Sequence, residues 1–108
     1  MEIHFHGHQT EITDGLRHRA SEGAGKLAEH LQRAVDADVW FGEDGVLKTV
    51  EIKLHAPGTK SLVAKSAAKF HEAALTDAIA KLDAQIRRLK LTKKQQAKGI
   101  EKGAELRA

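Results

Sequence analysis

The chain contains no cysteine, which excludes disulfides and thiolate metal sites and permits, without requiring, a reducing compartment. No apolar run approaches the roughly 18 to 20 residues that a membrane span needs. The opening stretch MEIHFHGH has neither a basic n-region nor an apolar h-region, so a cytoplasmic protein is expected. A glycine-rich loop of phosphate-binding spacing is missing, and Ser61 and Ser66 lack a nucleophile-elbow context. Asp83 and Glu72 read as solvated surface carboxylates of a helix. Neither an enzyme nor a cofactor or small-molecule substrate is therefore expected. There are no internal repeats.

What is present is one domain's worth of chain, 108 residues with 41% apolar and 31% charged, enough for a single modest core. The net charge of +3 conceals an asymmetry. From position 87 to the end, eight Lys and Arg stand against Glu101 and Glu105, whereas residues 1–86 hold 10 basic and 13 acidic side chains. A mildly acidic body with a strongly basic end points to a polyanionic partner, most often nucleic acid; the plainer reading is a tail that only aids solubility.

The strongest local signal is Glu72 to Lys90. Leu75, Ala78, Ile79, Leu82, Ile86 and Leu89 recur at intervals of three and four, one stripe of an α-helix. Such a helix cannot hide its stripe alone and requires a flat or grooved receiver. The rest of the chain supplies strands. Ile3 and Phe5 alternate with His4 and His6 in a short strand. Thr13 or Asp14 can cap a helix whose stripe is Leu16, Ala20, Ala24, Leu27 and Leu31. Gly15, Gly23 and Gly25 weaken it, each by up to about 1 kcal/mol relative to alanine.

Val35 to Gly42 predicts a second strand, Asp44-Gly45 a hairpin turn, and Val46 to Ala56 a third strand. Pro57-Gly58 predicts a type II turn, and Leu62 to Ser66 a short fourth strand. The long helix then starts between Ala67 and Glu72. The expectation is an α+β fold in the order β-α-β-β-β-α, with residues 1–90 as the domain and 91–108 as a basic tail, helical or disordered. Both helices should cover the sheet face of Ile3, Phe5, Val39, Phe41, Val50, Ile52 and Leu54. The opposite face should carry His4, His6, Trp40, Thr49, Glu51, Lys53 and His55 in water. Lys81, Arg88 and then Arg87 or Lys90 should occupy the solvent side of the long helix over roughly three turns, about 15 Å.

Gly7-His8 with Glu11 to Arg17 (EITDGLR), His55 to Gly58 (HAPG) with Leu62 to Ala64 (LVA), and Ala78 to Lys90 (AIAKLDAQIRRLK) resemble the ribosome hibernation-promoting factors. These are also called ribosome-associated translation inhibitors or sigma-54 modulation proteins. The resemblance implies a domain similar to double-stranded RNA-binding domains. It also implies docking on the rRNA of the small ribosomal subunit, in the channel where mRNA and tRNA pass, so that initiation is blocked under stress. Carried over by position, Arg17, Lys26, Lys81 and Arg88 match the family's basic contact sites.

Gly23, Glu29 and Ala84 stand where relatives usually have Lys or Arg, and Phe70-His71-Glu72 replaces the Asp-Met-Tyr that often opens the last helix. Arg87, Lys90, Lys93 and Lys94 would compensate by moving positive charge toward the helix end. The chain resembles the short form, which lacks the domain that pairs two ribosomes, and a monomer is expected when free.

Two rivals stand beside this reading. One is an RNA-binding module not tied to the ribosome, which the charge pattern permits equally. The other is a metal site at His4, His6 and His8, joined by His55, since imidazoles on alternate strand positions share a face and suit zinc, copper or nickel. Against the metal, Gly7 can end the strand before His8, and exposed strand histidines are ordinarily plain polar residues. Trp40 could stack on a base or a ribosomal protein or be covered by Lys53 or a neighbouring histidine.

Overall fold

The alternating and helical patterns become four strands and two helices in a computed structural model that describes residues 2–8, 10–31, 36–56 and 60–102, with side chains through residue 89. The order is β1 (Glu2–Gly7), α1 (Asp14–Leu31), β2 (Asp36–Asp44), β3 (Leu47–His55), β4 (Leu62–Ala68) and α2 (His71–Lys102). The strands lie side by side in the order β1-β2-β3-β4. β2, β3 and β4 form the expected antiparallel meander. β1 runs parallel to β2, with Phe5 opposite Val39 and Gly7 opposite Phe41. A parallel pair needs a long crossover, and α1 provides it.

One sheet face is covered by both helices. Val39, Phe41, Val50, Ile52 and Leu54 from the sheet meet Leu16, Ala20, Ala24 and Leu27 of α1 and Leu75, Ala78, Leu82 and Ile86 of α2, all buried. Ile3, Phe5, Leu31 and Ile79 close the margin of this core, half-buried. Fully burying an aliphatic or Phe side chain contributes about 1.5–3 kcal/mol, so this one cluster holds the domain together. Thr13 supplies the α1 cap, its Oγ1 accepting from Leu16 N–H at 3.2 Å.

Two boundaries differ from expectation. β4 extends to Ala68 because Ala67 and Ala68 keep pairing with Thr49 and Lys48. The hairpin turn is Gly45-Val46 rather than Asp44-Gly45, since Asp44 still pairs with Leu47. Gly45 has φ of 64° and holds the first central position, where type II′ turns place glycine. α2 runs on to Lys102. Val35 and the Pro57-Gly58 turn lie outside the described residues.

Both helices begin at the sheet end that carries the β2–β3 turn, so they run parallel to each other. Gly23 makes their close approach possible. An added Cβ there would overlap Ile79 Cδ1 and come within 3.2 Å of Cγ1. Gly23, where the resemblance leads one to expect Lys or Arg, is thus a packing contact, and its glycine offsets lower helix propensity with nearness of α2.

Candidate nucleic-acid interface

α2 presents two polar flanks, and the candidate cations divide between them. One flank overhangs the edge strand β4. Lys81 Nζ donates to Lys65 O at 3.0 Å and stands 3.4 Å from Asp77 Oδ2, while Gln85 Nε2 donates to Val63 O at 2.8 Å. These side chains cover two outward carbonyls of an otherwise open strand edge, a place prone to unwanted pairing. Ser66, buried beneath, donates a short hydrogen bond to Asp77 Oδ2. That bond, followed by Lys81, holds the Asp77 carboxyl below its usual value. Arg88 follows Lys81 by seven residues, about 10 Å along the same flank. Both are exposed.

The other flank faces α1. His30 Nδ1 lies 3.4 Å from Asp83 Oδ1, and Arg87 Nε lies 3.0 Å from Asp83 Oδ2. Asp83, expected to be a solvated surface carboxylate, is instead partly covered, with its side chain 26% exposed. It faces the inter-helix seam because Ile79, one turn earlier, packs against Gly23. Arg87 therefore belongs to the inter-helix flank, not to the Lys81–Arg88 row. Lys26, exposed on α1, precedes His30 by one turn and shares this flank. Arg17 is set apart, its guanidinium 5.1 Å from the centroid of the Phe5 ring. The side chains of Lys90, Lys93 and Lys94 lie outside the described residues.

His30 and Asp83 were missed as a pair by sequence reasoning. Their only trace was that His30 lies seven residues after Gly23, on nearly the same side of α1, where a facing helix would be met.

The open sheet face has different chemistry. Side-chain alternation places five carboxylates there (Glu2, Asp36, Asp38, Asp44, Glu51) against two lysines (Lys53, Lys65). Phosphates would be repelled from it. Asp38 ties three strands together. His6 Nε2 donates to its Oδ1 at 3.0 Å and His55 Nε2 to its Oδ2 at 3.1 Å. The His6 bond leads, with burial opposing and His55 adding, in holding the Asp38 carboxyl below its usual range. Ser61 donates to His55 Nδ1 at 3.0 Å.

His6 also stacks on Trp40, with ring centroids 5.0 Å apart, so a neighbouring histidine covers the indole and leaves it 37% exposed. The three candidate metal histidines do not converge. His4 lies near Glu2, at 3.7 Å. His6 and His55 both turn to Asp38. Among the described residues no group of three His, Asp or Glu is placed to hold a metal ion.

A ribosome hibernation promoting factor from Azotobacter vinelandii is 29% identical over 86 residues, 80% of this chain and 79% of that protein. The crystal structure of the Thermus thermophilus Protein Y N-terminal domain superposes with a TM-score of 0.74 at 24% identity, covering 82% of this chain and 99% of that one. A ribosomal subunit interface protein from Coxiella burnetii gives 0.76 at 18% identity, over 84% and 99%. These solved structures share the fold. With residues 3–94 matching it, the chain belongs to the sigma 54 modulation protein / S30EA ribosomal protein family.

Proposed function

We propose that this chain is a ribosome-associated translation inhibitor that docks its helix layer on small-subunit rRNA, in the channel used by mRNA and tRNA, and blocks initiation under stress. One observation carries the reading: the domain is two-sided. The open sheet face is acidic, whereas the helix layer balances six cations (Arg17, Arg19, Lys26, Lys81, Arg87 and Arg88) against six carboxylates and turns basic in the α2 extension, which contains Lys90, Lys93, Lys94, Lys98 and Lys102. The names of the relatives, a hibernation promoting factor and a subunit interface protein, support the ribosome as the site of action. Among the described residues no helix is long and apolar enough to cross a membrane.

The mechanism is occupancy rather than chemistry. A-form RNA hides its base edges in a deep major groove, so recognition rests on shape and phosphates. Lysine and arginine contacts release counterions. Neutralising about six phosphates would cost on the order of a thousandfold in affinity between 50 and 200 mM salt.

Sedimentation with ribosomes and separated subunits tests this. The protein should travel with the small subunit at low salt and leave it as salt rises. Lys81→Glu combined with Arg88→Glu should abolish co-sedimentation, provided circular dichroism shows the variant folded. Persistent binding by that variant removes the site assignment. Absence of the wild type from every ribosomal fraction removes the function.

A further inference from the structure

The α2 extension and the open sheet face carry opposite charge, and the acidic strand ends lie where the extension leaves the sheet. Leu89 of α2 still lines a cleft with Leu62, the first residue of β4. Beyond it, positions 90–102 carry the helix about 20 Å past the sheet, drawing the molecule out to 53 × 27 × 18 Å. There Lys90, Lys94, Lys98 and Lys102 recur every fourth residue, with Lys93 beside them and Glu101 as the one acid of the stretch. Positions four apart share one side of a helix, so this is a row of cations about 6 Å apart. At the same end, Glu2, Asp36 and His55 stand opposite one another on β1, β2 and β3. The next outward positions of β2 and β3 are Asp38 with Lys53, then Trp40 with Glu51. Outward positions of a strand follow about every 6–7 Å, nearly the step of the lysine row.

We propose that this acidic end of the open sheet face docks the α2 extension of a second copy of the chain. A twofold axis in the plane of the sheet, across the strands and just beyond Glu2 and Asp36, satisfies both copies at once. It sets the two sheets end to end in one plane, with their helix layers on opposite sides. Each extension, level with its own helix layer, then runs beneath the other copy's open face from the Asp36 end inward. About 20 Å of helix reaches past Asp38 to Trp40 and Glu51, about 13 Å along β2. The contact is the same in both directions, so the pair closes and does not grow into a fibre. The inference goes beyond the proposed function and bears on it. The lysines offered to RNA phosphate are those covered in the pair, so the two associations exclude each other. The monomer expected of the free chain is then its high-salt form.

Sedimentation equilibrium of the full chain without RNA tests this. The wild type should show twice the monomer mass at about 20 mM salt and the monomer mass at about 500 mM, where the Debye length has shrunk to about 4 Å. Lys90→Glu, Lys94→Glu and Lys98→Glu combined reverse the extension. Glu2→Lys with Asp36→Lys reverse the face, at two exposed positions. Each variant alone should stay monomeric at low salt. Mixed in equal amounts they should recover the dimer mass, since each reversed surface meets its complement on the other chain. Should circular dichroism show the face variant unfolded, loss of self-association by the extension variant decides.

A wild type that keeps the monomer mass at low salt overturns the inference, as does a dimer that survives in either variant alone or fails to return on mixing. None of these measurements contains ribosomes, so such a failure leaves the ribosomal reading standing. If the pair forms but the wild type never travels with small subunits, the ribosomal reading fails and this one holds.

Discussion

Replacing Gly23 with alanine sets two opposed effects against each other. In an exposed helix, alanine gains about 1 kcal/mol over glycine. Here the new methyl would overlap Ile79 Cδ1 and stand 3.2 Å from Cγ1, and overpacking of this kind costs roughly 1–3 kcal/mol. The net expectation for Gly23→Ala is a loss of about 0–2 kcal/mol. Ile79→Val removes the Cδ1 methyl and should cost about 0.5–1.5 kcal/mol by itself. In that background the alanine meets far less resistance, so Gly23→Ala should become stabilising by up to about 1 kcal/mol.

The sign reversal is the signature, and the coupling energy of the double-mutant cycle should be about 1–2 kcal/mol. Urea denaturation of the four proteins reads it directly, and a 1 kcal/mol change also moves Tm by about 4–8 °C in a domain of this size. Two additive single effects, or a stabilising Gly23→Ala with Ile79 intact, would refute the close-approach reasoning.

Asp77→Asn should destabilise most at neutral pH. The native carboxyl is held below its ordinary 3.8 by Ser66 and Lys81, so its contribution is present above that value and is lost as pH falls through the lower native one. Thermal melts of wild type and variant should converge as pH falls below the lowered native value; a constant difference would count against the Ser66–Asp77 bond. Gly45→Ala should cost about 1–2 kcal/mol purely through the left-handed backbone, because nothing lies within 4 Å of the added Cβ; unchanged stability on urea denaturation would contradict the turn geometry. Neutralising Lys81 and Arg88 to glutamine should lower the slope of log affinity against log salt by about 1.5; an unchanged slope would show that neither meets phosphate.

The element order could be read from the chain because each element carries its own periodicity. The α2 stripe from Leu75 to Ile86, the α1 stripe from Leu16 to Leu27, and the alternation of Val50, Ile52 and Leu54 all fall on the buried side. One-sided burial leaves a local record in the spacing of apolar residues. The cation-rich α2 end was equally plain, since charge is counted rather than folded.

Contacts between distant residues leave no such record. Whether Lys81 hangs over β4 and Arg87 over α1 depends on how far α2 is rotated against the sheet, and that is decided where Leu75, Ala78, Leu82 and Ile86 seat in the core. The Asp38 clasp likewise needs His6 and His55 to arrive from opposite sides of β2, thirty-two and seventeen residues away. Pairing across such separations is decided by the packing of whole elements. The amino-acid sequence by itself determined the strands, the helices and which side of each is apolar. Only the tertiary structure decided which cations share a flank, because flanks are made by the neighbours an element meets.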